Sequence, residues 1–197
     1  MNNFFKFLRR VYIWFLYKIE MHPDMDVRIR KLKELGFSIG RNVFIDNVEI
    51  EDLYPEFLKI EDDVVIAYGT RILVHDSSMN NLFGDPIRFG KVIIKKGAYI
   101  GSKCIIMPGV TIGEGALIGA GSLVTHNVKD HMVAFGSPAK EYMKVIEYRE
   151  KFLKSIDKDE YYYWDVLPFS KRILEENWLE KEKESYRNFI KTKVTKK

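Results

Sequence analysis

The chain has 197 residues, of which 46% are hydrophobic and 30% charged, and a formal net charge of +4. It is too apolar for a disordered chain, and too weakly basic for charge alone to indicate nucleic acid as a partner; one globular domain with extensions is expected. A single cysteine, Cys104, excludes an internal disulfide framework and fits a reducing cytosol.

Residues 3–20 read as an apolar, basic helix, broken by His22-Pro23. Phe4, Phe5, Trp14 and Phe15 lie among Lys6, Arg9, Arg10 and Lys18. That mixture suits either packing on the protein's own surface or peripheral contact with an anionic membrane. The apolar run is too short and too interrupted to span a bilayer, and it has no small-residue cleavage site. Asp24 to Leu35 read as a second helix, with Gly36 as its C-cap.

A six-residue phase then begins at Ile39 and Ile45. It slips across "EIEDLYPEF" and resumes at Ile60, Ile66 and Ile72. A second slip spans "HDSSMNNLFGDPIRFGK", polar and turn-rich, which reads as a loop thrown out from a corner. The phase returns at Ile94 and runs through Ile100, Ile106, Ile112 and Ile118 to Val124. Four residues after each of the first five comes a compact one: Ala98, Cys104, Val110, Ala116 and Ser122. Glycine directly follows the aliphatic residue at Gly101, Gly113 and Gly119, where it is expected to supply corner dihedrals. Neither a 3.6-residue helix nor a two-residue strand gives this period. A short strand, a corner and another short strand do, as in a parallel β-helix of hexapeptide repeats. At roughly 18 residues per three-sided coil, four or five coils are expected between about Ile39 and Val128, stacked ~4.8 Å apart. Cys104 occupies a compact slot and reads as buried filler rather than as a nucleophile.

After "FGSPAK" the glycines stop. Glu141 to Lys154 and roughly 170–190 read as charged amphipathic helices, separated by the aromatic "DEYYYWDVLPF". The expected division is N-terminal helices over 1–36, a β-helix over 37–138 carrying a loop at 76–91, and a helical extension over 139–197.

Three segments together, "RILVHDSS", "GAYIGSKCIIMPGVTIGEGALIGAGSLVTHNV" and "VAFGSPAK", resemble the hexapeptide-repeat acyltransferases, the left-handed β-helix family. The likeness is to the branch holding the maltose, galactoside and polysaccharide O-acetyltransferases and the streptogramin acetyltransferases. It covers about Gly36 to Lys144. It implies a mainly β protein with a left-handed parallel β-helix, a homotrimer, and three acetyl-CoA sites between neighbouring prisms. The family's catalytic histidine falls on His75, where an imidazole suits removal of a proton from an attacking hydroxyl. Asp76 follows directly, but successive strand residues point to opposite faces, which sets it against orienting the ring.

The resemblance places the oxyanion donor at the Ser102 N–H and the pantetheine arm along Ser102, Gly119, Ala120 and Gly121. Tyr99 takes the position of an aromatic beside the thioester, while Thr125, Pro138 and Lys140 fall near the nucleotide end. His126 stands where the family usually has lysine. Asp46, expected one coil before the histidine, and Asp52 are the candidate contacts to the acceptor.

The expected activity is acetyl-CoA-dependent O-acetylation of a sugar or polysaccharide-precursor hydroxyl, in the cytoplasm, with no metal and no nucleic acid. The alternatives are N-acetylation of a nucleotide-linked amino sugar, a zinc enzyme like the γ-class carbonic anhydrases using His75, His126 and His131, and a non-catalytic trimeric scaffold.

Overall fold

The computed structural model describes residues 25–51, 53–155, 181 and 184–188. The helix expected over 3–20, Asp52, the aromatic run after 158 and most of the last expected helix lie outside them. No helix among the described residues is long and apolar enough to cross a membrane.

Helix α1 (Met25–Glu34) comes first. It ends as the sequence suggests: Gly36 adopts φ 95°, and the Gly36 and Phe37 N–H groups donate back to the Lys33 and Leu32 carbonyls at 3.0 Å. Leu32 is buried and Ile29 packs on the core, so α1 plugs the lower end of the coil.

Strands of two or three residues wind around three faces from there. The first face stacks β1 (Ser38–Ile39), β4 (Leu58–Ile60), β9 (Val92–Ile94) and β12 (Thr111–Ile112). The second stacks β2 (Phe44–Ile45), β5 (Val65–Ile66), β10 (Tyr99–Ile100) and β13 (Leu117–Ile118). The third stacks β3 (Glu49–Ile50), β6 (Arg71–Ile72), β11 (Ile105–Ile106) and β14 (Leu123–Val124). Every pairing within these stacks is parallel and in register, aliphatic over aliphatic. Four coils are complete. The Ile112–Val128 bridge and β15 (Met132–Gly136) start a fifth, and β16 (Ala139–Lys144) folds back antiparallel on β15.

The core is the column of repeat aliphatics. Ile66, Ile72, Ile94, Ile100, Ile106, Ile112 and Ile118 are fully buried, each worth about 1.5–3 kcal/mol of burial. The compact positions, Cys104 and Ser122 included, are buried as expected. Burial pushes the Cys104 thiol up, which suits filler and not a nucleophile.

The glycines divide their work differently from the sequence expectation. Left-handed dihedrals fall three residues after the aliphatic, at Lys103 (φ 57°) and Gly121 (φ 71°) for example. Glycine directly after it is there for clearance: a Cβ on Gly101 would lie 2.5 Å from the Ala120 nitrogen of the next coil. The second correction concerns the end of the chain. Glu141 to Lys144, expected in a helix, belong to β16, and α3 begins only at Val145, running to Ser155.

The long excursion after His75 is more ordered than a loop. β7 (His75–Asp76) and β8 (Arg88–Phe89) pair antiparallel, and between them sits α2 (Ser78–Phe83), closed by Gly84 at φ 75°.

Carboxylates staple the corner between the first and second faces. Asp62 accepts the Arg41 N–H at 2.8 Å and its guanidinium, and Asp130 accepts the Glu114 N–H at 2.8 Å and Lys95 at 3.1 Å. The Arg41 and Glu114 N–H bonds come first in holding these carboxyls below the usual carboxylate range; the Lys59 hydrogen bond does the same for Glu61. A carboxyl depressed in the folded state stabilises above its unfolded pKa, and that contribution is lost as pH falls through the folded value. The thermal midpoint is therefore expected to fall between about pH 5 and about pH 2 in calorimetry, and Asp62→Asn with Asp130→Asn to flatten that fall.

Candidate active site

His75 opens the excursion at the corner between the third and first faces. Its Nδ1 lies 2.9 Å from Glu51 Oε2, and the same oxygen accepts the Val74 N–H at 2.9 Å. Both side chains are half-buried, His75 at 29% exposure and Glu51 at 23%. Aromatic rings surround the imidazole. Tyr54 meets it edge-on at 5.5 Å and Phe89 lies tilted at 5.7 Å. Phe89 in turn packs on Tyr54 at 4.9 Å and on Phe57 at 5.1 Å. The site is thus an imidazole tied by one nitrogen to a carboxylate and walled by two rings, with Phe57 behind Phe89.

Two slips in the repeat build it. Ile50 follows Ile45 by five residues rather than six, and a 3₁₀ turn, Pro55–Phe57, carries the chain up to the next coil. Ile50 pairs with Ile72, so Glu51 lies one coil below Leu73 and within reach of His75. Asp46 is elsewhere. Ile45 pairs with Ile66, which sets Asp46 beneath Ala67, at the corner between the second and third faces. There it faces Arg28 of α1, whose guanidinium donates to the Val48 carbonyl. Burial pushes that guanidinium down, and the Asp46 charge opposes the push. Asp76 turns away from the imidazole: it accepts the Ser78 N–H at 2.9 Å and Arg88 at 3.1 Å. The Ser78 hydrogen bonds come first in holding its carboxyl below the usual range.

The other expected residues fall into two groups. Ser102, Gly119, Ala120 and Gly121 share the corner between the second and third faces, one coil apart, with the Gly121 N–H donating to the Ser102 carbonyl at 2.8 Å. The Ser102 and Ala120 N–H groups donate to nothing among the described residues. Tyr99 projects outward from β10 on the adjoining face. Thr125 lies on the His75 edge two coils higher, its Oγ1 2.8 Å from His126 Nδ1. Pro138 and Lys140 belong to the β15–β16 hairpin, with Lys140 opposite Phe135. Within one chain, His75 and Ser102 therefore stand at opposite edges of the third face. Among the described residues, no three His, Cys, Asp or Glu side chains are grouped to hold a metal; His75, His126 and His131 form no such set.

Glu51 is the residue that the sequence reading passed over. The signal was available in part: a carboxylate directly after an aliphatic that stacks under Ile72. Finding it required the register across the slip.

Residues 91–126 match the family model described as bacterial transferase hexapeptide (six repeats). The chain is 32% identical over 164 residues to the galactoside O-acetyltransferase of Lactococcus lactis subsp. lactis (strain IL1403), covering 71% of this chain and 78% of that one. It belongs to the hexapeptide-repeat acetyltransferases. The galactoside O-acetyltransferase of Escherichia coli (strain K12) is 27% identical over 165 residues, covering 73% of this chain and 76% of its own. A crystal structure of a hexapeptide-repeat containing acetyltransferase from Vibrio cholerae superposes with a TM-score of 0.52 at 20% identity, covering 66% of this chain and 85% of that one, a likeness of fold. The coil is accordingly the left-handed parallel β-helix of that family, and the protein is an acetyltransferase.

Proposed function

We propose that the protein transfers acetyl from acetyl-CoA to a hydroxyl of a sugar or polysaccharide precursor, with His75 as the general base. The observation that carries this reading is the His75 corner. Its imidazole is half-exposed, it is fixed through Nδ1, and aromatic rings wall it. A hydroxyl is a weak nucleophile at neutral pH, and a thioester yields to it only if the proton leaves during attack. In direct transfer, His75 Nε2 takes that proton as the acceptor oxygen bonds to the thioester carbon. The carbon–sulfur bond then breaks, and the imidazolium returns the proton to the departing sulfur. The charge that develops on the carbonyl oxygen needs a donor, and the unused Ser102 N–H is suited to it. The Ala120 N–H one coil on, with Gly119 and Gly121 beside it, leaves backbone open to a pantetheine arm.

Assembly follows from the same layout. His75 and Ser102 lie on different edges of one prism, so a site using both requires a second copy. A three-fold arrangement sets one copy's His75 edge against the next copy's Ser102 edge. The outward Ile105, exposed on the third face, leaves apolar surface for such contacts. The rings of Tyr54, Phe57 and Phe89 suit the apolar face of a sugar.

The test is transfer of radiolabelled acetyl from acetyl-CoA across a panel of hydroxyl sugars and amino sugars. Label is expected on hydroxyl acceptors, in an ester that alkali cleaves. Label only on amines, in an alkali-stable amide, would replace this reading with N-acetylation.

A further inference from the structure

We infer that Glu51 is a positioning residue for His75: it fixes the ring so that Nδ1 carries the proton and Nε2 presents its lone pair to the acceptor. This rests on the reading of His75 as the base. A carboxylate only accepts hydrogen bonds, and Oε2 lies 2.9 Å from both the Val74 N–H and His75 Nδ1. The Val74 bond anchors that oxygen to the backbone directly before His75, so carboxylate and ring cannot drift independently. Tyr54 and Phe89 restrict the ring from other directions. No other carboxylate among the described residues bonds to the ring, since Asp76 is committed to Ser78 and Arg88. A neutral imidazole has one donor and one acceptor nitrogen, and the bond made by one sets the role of the other.

When the base takes the acceptor's proton, the ring becomes an imidazolium with Glu51 already against Nδ1. The carboxylate then meets a charge that exists only during reaction, which favours the transition state over the bound ground state. The proton shuttles between acceptor and sulfur through Nε2 alone.

The test uses the full chain and Glu51→Gln. The amide oxygen can still accept the Val74 N–H, so the corner keeps its shape while the charge is lost. Glu51→Ala is the companion variant. Two quantities are read: steady-state kinetics with acetyl-CoA and the best hydroxyl sugar, and the ¹⁵N shifts of the imidazoles, assigned with His75→Ala among only four histidines. The wild type is expected to show His75 protonated on Nδ1. Glu51→Ala is expected to lose that tautomer preference and to lower kcat on the order of 10²-fold, with the KM for acetyl-CoA unchanged; Glu51→Gln, whose oxygen can still accept both N–H groups, is expected to keep the tautomer and to lose the part of kcat that depends on the charge. A residue that merely held the corner together would lower thermal stability and leave the tautomer alone. A folded Glu51→Ala with wild-type tautomer and kcat, beside an inactive His75→Ala, would overturn the inference and leave the base assignment standing. An active His75→Ala would sink the base assignment instead, while the shifts would still report whether Glu51 holds the ring.

Discussion

His75→Ala is expected to lower kcat on a hydroxyl acceptor by 10²- to 10⁴-fold, on the order expected for loss of a general base. Acetyl-CoA affinity should hardly change, because the backbone groups suited to the donor stand on another edge of the prism. The fold should survive, since the side chain is half-exposed and belongs to no core column. Steady-state kinetics with calorimetric binding of acetyl-CoA checks both halves of the expectation. Near-normal kcat in the variant would remove the base assignment. A large rise in the Kd for acetyl-CoA would instead make His75 a donor-binding residue. An amine acceptor offers a finer probe. A free amine attacks without losing its proton first, so its transfer should suffer much less than transfer to a hydroxyl. Equal losses on both would argue that His75 orients substrates rather than moving a proton.

What the sequence disclosed depended on whether the period was intact. From Ile94 to Val124 the spacing of six never breaks, and every residue assigned inward there is buried. Between Ile45 and Ile60 the spacing breaks twice, and there the reading misplaced chemistry. Asp46 keeps the phase and looked like the neighbour of His75, yet it faces Arg28; Glu51 sits just past the slip and holds the ring. A shift of one residue in a strand reverses which side chains face which way, so a slip hides contacts that an intact repeat exposes. Glu141 to Lys144 misled for another reason. Glu141 and Lys144, charged and three apart, resemble a helix surface, and only pairing with β15 makes the segment a strand. The hand of the coil was out of reach as well, because the general preference for right-handed crossovers points the wrong way for this fold. It came from family likeness.

Two neighbouring residues are expected to separate fold from site. Ile100 is 0% exposed and Tyr99, beside it on β10, is 46% exposed. Ile100 sits inside the column between Ile66 and Ile118, and the backbone bonds around it run to both adjacent coils. Tyr99 N–H donates to Ala116, Gly101 N–H to Ile118, and Ala67 N–H to the Ile100 carbonyl, at 2.8–2.9 Å. Those bonds hold the coil spacing, so the walls cannot close on a missing side chain. Ile100→Ala is therefore expected to cost about 4 kcal/mol, in the upper part of the usual range for such truncations, because an unrelaxed cavity adds to the lost burial. Denaturant unfolding measures it. A loss below about 1 kcal/mol would mean that the coil collapses after all. Tyr99→Ala removes an outward ring and should leave stability within about 0.5 kcal/mol. Its effect is expected in the KM for acetyl-CoA, raised roughly tenfold if the ring packs beside the donor, since about 1.4 kcal/mol of contact is a factor of ten. If Tyr99→Ala leaves that KM unchanged, the donor does not run along this face, and the Ser102–Ala120 corner loses its assigned arm as well.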